Sequence, residues 1–261
     1  MPAPQWDAFL VVTGLVLALF LGLARLSAGP VRDSTPSDDH RAVTPAGVDP
    51  GVGIERVDVA IGDRGPALEG ISSVALLANV AVTQALFGGV VLGTAVVFAI
   101  PADALGAGSL LADLLGPPLV AGLGLGAVLW ALSDTASRVV DARGIDHDES
   151  LRELLAPEGV GGWLLLLCVI LPLIAGVEEL LFRAAAIGAV AAGTGVSPWL
   201  LAVVSSVAFG AGHSAQGRAG VALTGVIGFA LAAAYVLTGS FVTVFLAHYV
   251  LNAVEFLVHE R

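Results

Sequence analysis

GGWLLLLCVILPLIAGVEELLFRAAAIGAVAA, residues 161–192, decides the fold. Apart from Glu178, Glu179 and Arg183, these 32 residues carry no charge, and nothing in them alternates with the period of a strand. About 20 consecutive apolar residues cross the roughly 30 Å of bilayer hydrocarbon, and there only a helix or a closed barrel satisfies its own backbone polar groups. The run therefore reads as one transmembrane helix. A straight helix of this length would measure about 48 Å at 1.5 Å per residue, so tilt, a kink near Pro172 or Gly176, or an extension into water is expected.

Working outward, residues 8–26, 71–100, 118–132, 198–212, 219–237 and 241–258 form further apolar blocks without strand-like alternation. The expectation is an all-α, polytopic transmembrane helix bundle of about seven spans. Residues 101–115 contain Asp103 and Asp113 and are too short to cross. Residues 27–70, rich in Pro, Gly and Asp, show no hydrophobic period and read as a polar loop. An acidic connector, 134–158, carries Arg138, Arg143 and Arg152. Three parts follow: 1–70, the first helix and its polar acidic loop; 71–158, two helices and the connector; 159–261, the core that holds the unusual residues. No internal repeat is evident.

Composition agrees. Hydrophobic residues make up 57% of the chain and charged ones 13%, against about 25% charged in an ordinary soluble domain. The net charge of −11 excludes a nucleic-acid partner, which needs a basic face. All 11 basic residues are arginine. An acidic, lysine-free chain resembles the proteins of salt-loving organisms. The lone Cys168 can form no internal disulfide and is expected to be a small core residue.

The arginines set the expected topology, because cytoplasmic loops carry the Lys/Arg excess. Asp7 precedes the first helix and Arg25 and Arg32 follow it, which argues against a signal peptide and for a retained helix with its N-terminus outside. Arg25 to Arg64 and the connector arginines then both fall inside. A single crossing by 161–192 also puts Arg218 and Arg261 inside, so the reading is a multi-pass cell-membrane protein with a cytoplasmic C-terminus.

Several residues sit where lipid disfavours them. A charge at a helix centre costs about 2.5–3.5 kcal/mol, so Glu178, Glu179 and Arg183 must be paired, or face the bundle and be hydrated. Glu179 and Arg183 are four apart in the favourable order and read as a structural ion pair. Glu178 is rotated about 100° from Glu179, which leaves it free to hold a water or a metal. His213 closes one apolar block, and His248 and Asn252 share one face of the last helix. Glu255 and His259 continue that face toward the interface, where they can snorkel, and are given no chemistry. Asn79 and Gln84 read as interhelical hydrogen-bond glue.

Glu-Glu-x-x-x-Arg (178–183), Phe-x-x-x-His (209–213) and His-x-x-x-Asn (248–252), each on a separate apolar helix, resemble the CPBP family of intramembrane proteases. That family includes type II CAAX prenyl endopeptidases and the bacteriocin-processing, Abi-like proteins. The resemblance covers about 161–252. It implies that Glu178 and His213 activate the attacking water, that His248 and Asn252 stabilise the oxyanion, and that Glu179 and Arg183 hold the helix geometry. The implied partners are the bilayer and a membrane-associated peptide substrate, prenylated or not. Under the expected topology His213 lies at the inner end of its helix, so the cavity would open to the cytoplasm.

The chemistry has its own logic. Amide hydrolysis needs a base for water and donors aimed at the developing oxyanion, which an Asn amide and a His N–H can supply. Glu178, His213 and His248 could alternatively form a two-His, one-carboxylate zinc site. No His-Glu-x-x-His helix is present, and the lean is toward no tightly bound metal. Two other readings stand beside proteolysis: a non-catalytic immunity or scaffold protein, and a proton-coupled transporter.

Overall fold

A computed structural model describes residues 2–27, 73–143, 155–157 and 159–260. Of the polar loop expected over 27–70, only Ser27 is described, as the last residue of α1; the rest of it and the middle of the connector lie outside the described residues. Within them every regular element is helical. The long helices are α1 (Trp6–Ser27), α2 (Ser73–Val97), α4 (Pro117–Ala142), α5 (Gly159–Thr194), α7 (Gly217–Thr238) and α8 (Phe241–His259), each apolar and long enough to cross a membrane. Their outward faces are apolar as well: Leu15 is 66% exposed, Val96 81% and Leu237 74%. Water would not tolerate such continuous apolar surface, and hydrocarbon does. The chain is a multi-pass membrane protein.

The expected seventh span is different in kind. Helix α6 (Pro198–Gly212) begins and ends where the sequence places it, but its 15 residues reach only about 22 Å. It falls short of a full crossing, so among the described residues there are six long helices and one shorter apolar one. Helix α4 runs ten residues past its expected end, because Asp134 and Arg138 form an i,i+4 pair (Nε to Oδ2, 2.9 Å) that carries the helix beyond its apolar part.

Helix α5 departs from α geometry on either side of Pro172 and Gly176. Leu166–Ile170 and Leu180–Ala189 are π-helical, with wide turns that change which side chains face the bundle. In the first of these stretches Leu166 and Ile170 point inward, and Cys168 is turned out and exposed. The expected core cysteine is thus a surface residue on an apolar face. The second π stretch starts directly after Glu179 and buries Arg183.

The segment between α2 and α4 forms a 3-10 turn (Ala102–Leu105) and the short helix α3 (Leu110–Leu114). It grips the start of α8: Ser240 Oγ donates to Asp113 (2.6 Å), and Phe241 N–H donates to the carbonyl of Gly106 (2.9 Å). Gly106 sits at φ +67°, and a Cβ there would come 2.9 Å from the carbonyl oxygen of Gly239.

Helix α8 is held at its middle by α4. A Cβ on Gly122 would come 2.7 Å from the Thr243 carbonyl, and one on Gly126 would come 2.7 Å from the Ala247 carbonyl. This is the small-xxx-small approach that lets two membrane helices meet backbone to backbone. Ala247 precedes His248, so this contact fixes the height of His248 in the bundle. Gly126→Val should destabilise the protein by about 1–3 kcal/mol through overpacking. Gly124→Val, whose Cβ meets nothing within 4 Å, should be tolerated. Equal unfolding midpoints for the two variants in detergent would refute the close-approach account.

Candidate active site

The polar centre is built from α5, α6 and α8. Glu178 and Glu179 end the regular part of α5, and both are buried. Arg183 Nη1 donates to Glu179 Oε1 at 2.7 Å with both side chains fully buried, and Nη2 donates to the Gly228 carbonyl on α7 at 3.0 Å. The ion pair expected from i,i+4 spacing is present.

Glu179 does more than pair. Its Oε1 also lies 2.7 Å from His248 Nδ1 across the bundle. An oxygen already bonded to a guanidinium is an ionised acceptor, so Nδ1 carries the proton and donates. His248 Nε2 is thereby aimed at Glu178 Oε2, 3.7 Å away. That separation exceeds a hydrogen bond, and Glu178 Oε2 is buried with no hydrogen-bond partner among the described residues. A carboxylate oxygen in that condition retains its full capacity to accept from a water or a substrate group.

His213 follows the last turn of α6, half-buried, with Nδ1 2.9 Å from the Phe209 carbonyl. A carbonyl only accepts, so this nitrogen also carries the proton and Nε2 is left with its lone pair. Phe209 is the hub that brings the helices together. Its ring centroid lies 4.7 Å from that of His213 and 5.9 Å, edge-on, from that of His248. Arg183 Cζ stands 4.5 Å above the same ring. Asn252 is half-buried one turn beyond His248 and bonds to no described side chain. Arg183, His213 and His248 thus gather around one phenylalanine, Glu178 and Glu179 face His248, and Asn252 lies on the adjoining turn.

Glu255 and His259 lie away from this centre. His259 Nε2 contacts Asp134 (3.3 Å) and Glu255 (3.7 Å), joining the end of α8 to α4. Among the described residues no group of three His, Cys, Asp or Glu side chains comes together at metal-holding spacing. The zinc set of Glu178, His213 and His248 is not among any such group, and no step below runs through a metal. The hydrogen-bond glue expected of Asn79 and Gln84 is also not seen among the described residues: Asn79 is exposed, and Gln84 is buried with no described partner for Oε1. Two roles escaped sequence reasoning: Glu179 as the partner of His248, and Phe209 as the hub. The first joins residues 69 positions apart, which no local spacing reveals.

No curated protein and no solved structure matches the chain. Residues 160–254 match the family model described as type II CAAX prenyl endopeptidase Rce1-like. The match spans Glu178, Glu179, Arg183, Phe209, His213, His248 and Asn252, the residues whose side chains make up the centre or adjoin it, and it supports the resemblance of this part of the chain to the CPBP proteases.

Proposed function

We propose that the chain is an intramembrane endopeptidase in which Glu178, assisted by His213, activates water against a peptide carbonyl of a membrane-associated substrate. The observation that carries this reading is the buried Oε2 of Glu178, without a hydrogen-bond partner among the described residues and 3.7 Å from His248 Nε2. Water bound there gives its proton to the carboxylate as its oxygen attacks the carbonyl carbon. The developing oxyanion takes hydrogen bonds from the Asn252 amide and from His248 Nε2. His248 can donate from Nε2 only as the imidazolium, because Nδ1–H is already committed to Glu179. The proton on Glu178 then passes to the amide nitrogen, the C–N bond breaks, and a carboxylate and an amine leave.

The family match supports the reaction class, and a prenylated cysteine near the cut is the substrate feature to test first. The arginine pattern supports a cytoplasmic opening and C-terminus, and the acidic, lysine-free composition supports a protein adapted to high salt; loss of activity in concentrated salt would count against that last point. Cleavage should appear when the purified protein meets a panel of membrane-presented peptides, prenylated and unprenylated, and should vanish with Glu178→Ala. A panel left intact by the wild type, together with saturable solute flux in vesicles, would replace this reading with that of a transporter. Stoichiometric zinc in the purified protein would overturn the metal-free water activation.

A further inference from the structure

We infer that Tyr249 is a positioning residue for His248: its hydroxyl ties α8 to the first π stretch of α5 and so keeps His248 Nε2 directed at Glu178. The inference rests on the proteolytic reading above. In a π register a carbonyl takes its hydrogen bond from the N–H five residues on, and Leu171 N–H accordingly bonds the Leu166 carbonyl. The next carbonyl, that of Leu167, would need an N–H from residue 172, which is proline and has none. Tyr249 Oη donates to that carbonyl at 3.1 Å. The π stretch and Pro172 together free an acceptor on α5, and α8 supplies the donor.

Two adjacent residues of α8 thus reach α5 at separate places. His248 Nδ1 donates to Glu179 Oε1 at 2.7 Å, while Tyr249 bonds Leu167, about three turns earlier on α5. Neighbouring side chains on a helix diverge by about 100°. On one such tie α8 could swivel; with two it cannot turn about its axis without breaking one. The tyrosine ring is itself held, stacked on Phe245 with centroids 6.5 Å apart and packed among Leu166, Ile170 and Leu171.

What the second tie preserves is the direction of the imidazole. Nε2 stands 3.7 Å from Glu178 Oε2, and a swivel of α8 would shift it relative to both the carboxylate and the oxyanion it stabilises. That direction matters to the charge that develops in the transition state and not to the hold on the ground-state peptide. Loss of the tie therefore falls on kcat and spares KM.

The test uses the full-length protein and whichever panel peptide it cleaves. Tyr249→Phe keeps the ring and its stack and removes the donor. It should lower kcat about tenfold with KM within about twofold, and lower the unfolding midpoint by about 2–4 °C for the carbonyl left bare. Adding Pro172→Ala gives that carbonyl an N–H from its own helix but no tie to α8. The double variant should therefore share the midpoint of Pro172→Ala alone, while its kcat stays about tenfold below that of Pro172→Ala. A Tyr249→Phe kcat within about twofold of wild type, or a double variant with the kcat of Pro172→Ala, overturns the inference. Tyr249 would then be a structural partner of the Leu167 carbonyl, while the proteolytic reading stands. The second comparison decides alone if Tyr249→Phe folds poorly. A wild type that cleaves no peptide sinks that reading, and this inference with it.

Discussion

Arg183→Met should cost about 3–5 kcal/mol of stability, the largest loss expected from any single change in this chain. The guanidinium is fully buried and bonds both the Glu179 carboxylate and the Gly228 carbonyl, and it stands 4.5 Å over the ring of Phe209. Methionine fills much of the space but leaves Glu179 as a buried anion with only the His248 N–H to oppose it. That uncompensated charge, more than any lost packing, is the source of the penalty. Removing the anion as well should relieve it, so Glu179→Gln/Arg183→Met should be more stable than Arg183→Met alone, with a coupling of about 0.5–3 kcal/mol. Detergent unfolding of the four proteins in the cycle measures this. An Arg183→Met protein within about 0.5 kcal/mol of wild type would show that the pair carries no such load.

Glu178→Gln should do the reverse, lowering cleavage about 10²–10⁴-fold, the usual contribution of a general base, while leaving stability unchanged or improved. The amide matches the carboxylate in shape, so the cavity keeps its form. It cannot take a proton from water, and it removes a charge that has no hydrogen-bond partner at Oε2. Loss of rate with gain of stability is the signature of a group selected for chemistry rather than for folding. Arg183→Met should lose both together, and the contrast separates the two neighbouring functions on one helix. Cleavage by Glu178→Gln within twofold of wild type would end the case for this carboxylate as the base.

Much of this was legible in the chain because membrane helices announce themselves by composition. The run 161–192 had to be one helix, and α6 was bounded correctly by Pro198 at its start and the Gly-Ala-Gly-His sequence at its end. The Glu179–Arg183 pair was legible because both partners lie on one helix at i,i+4. What stayed hidden depends on relations between helices or on backbone irregularity. The extension of α4 carries charged residues that read as a connector. Nothing in Leu180–Ala189 marks a π-helix, which arises from packing rather than from propensity. The Glu179–His248 bond required α5 and α8 to be side by side, and the outward turn of Cys168 followed from a register that the sequence does not spell out.

The locality of the ion pair bears on how the protein is made. Glu179 and Arg183 neutralise one another within a single helix, so α5 can enter the bilayer from the translocation machinery with its own counterion in place. Only Glu178 must be carried in unpaired, at about 2.5–3.5 kcal/mol, which the apolar residues around it outweigh. His248 and Asn252 arrive last, when α8 emerges and docks against Gly122 and Gly126 of α4. A nascent chain that stops short of α8 is already embedded but has neither the histidine facing Glu178 nor the asparagine beside it. The order of synthesis thus delivers the two groups that the proposed reaction assigns to the oxyanion only after the helix that carries Glu178 is in place.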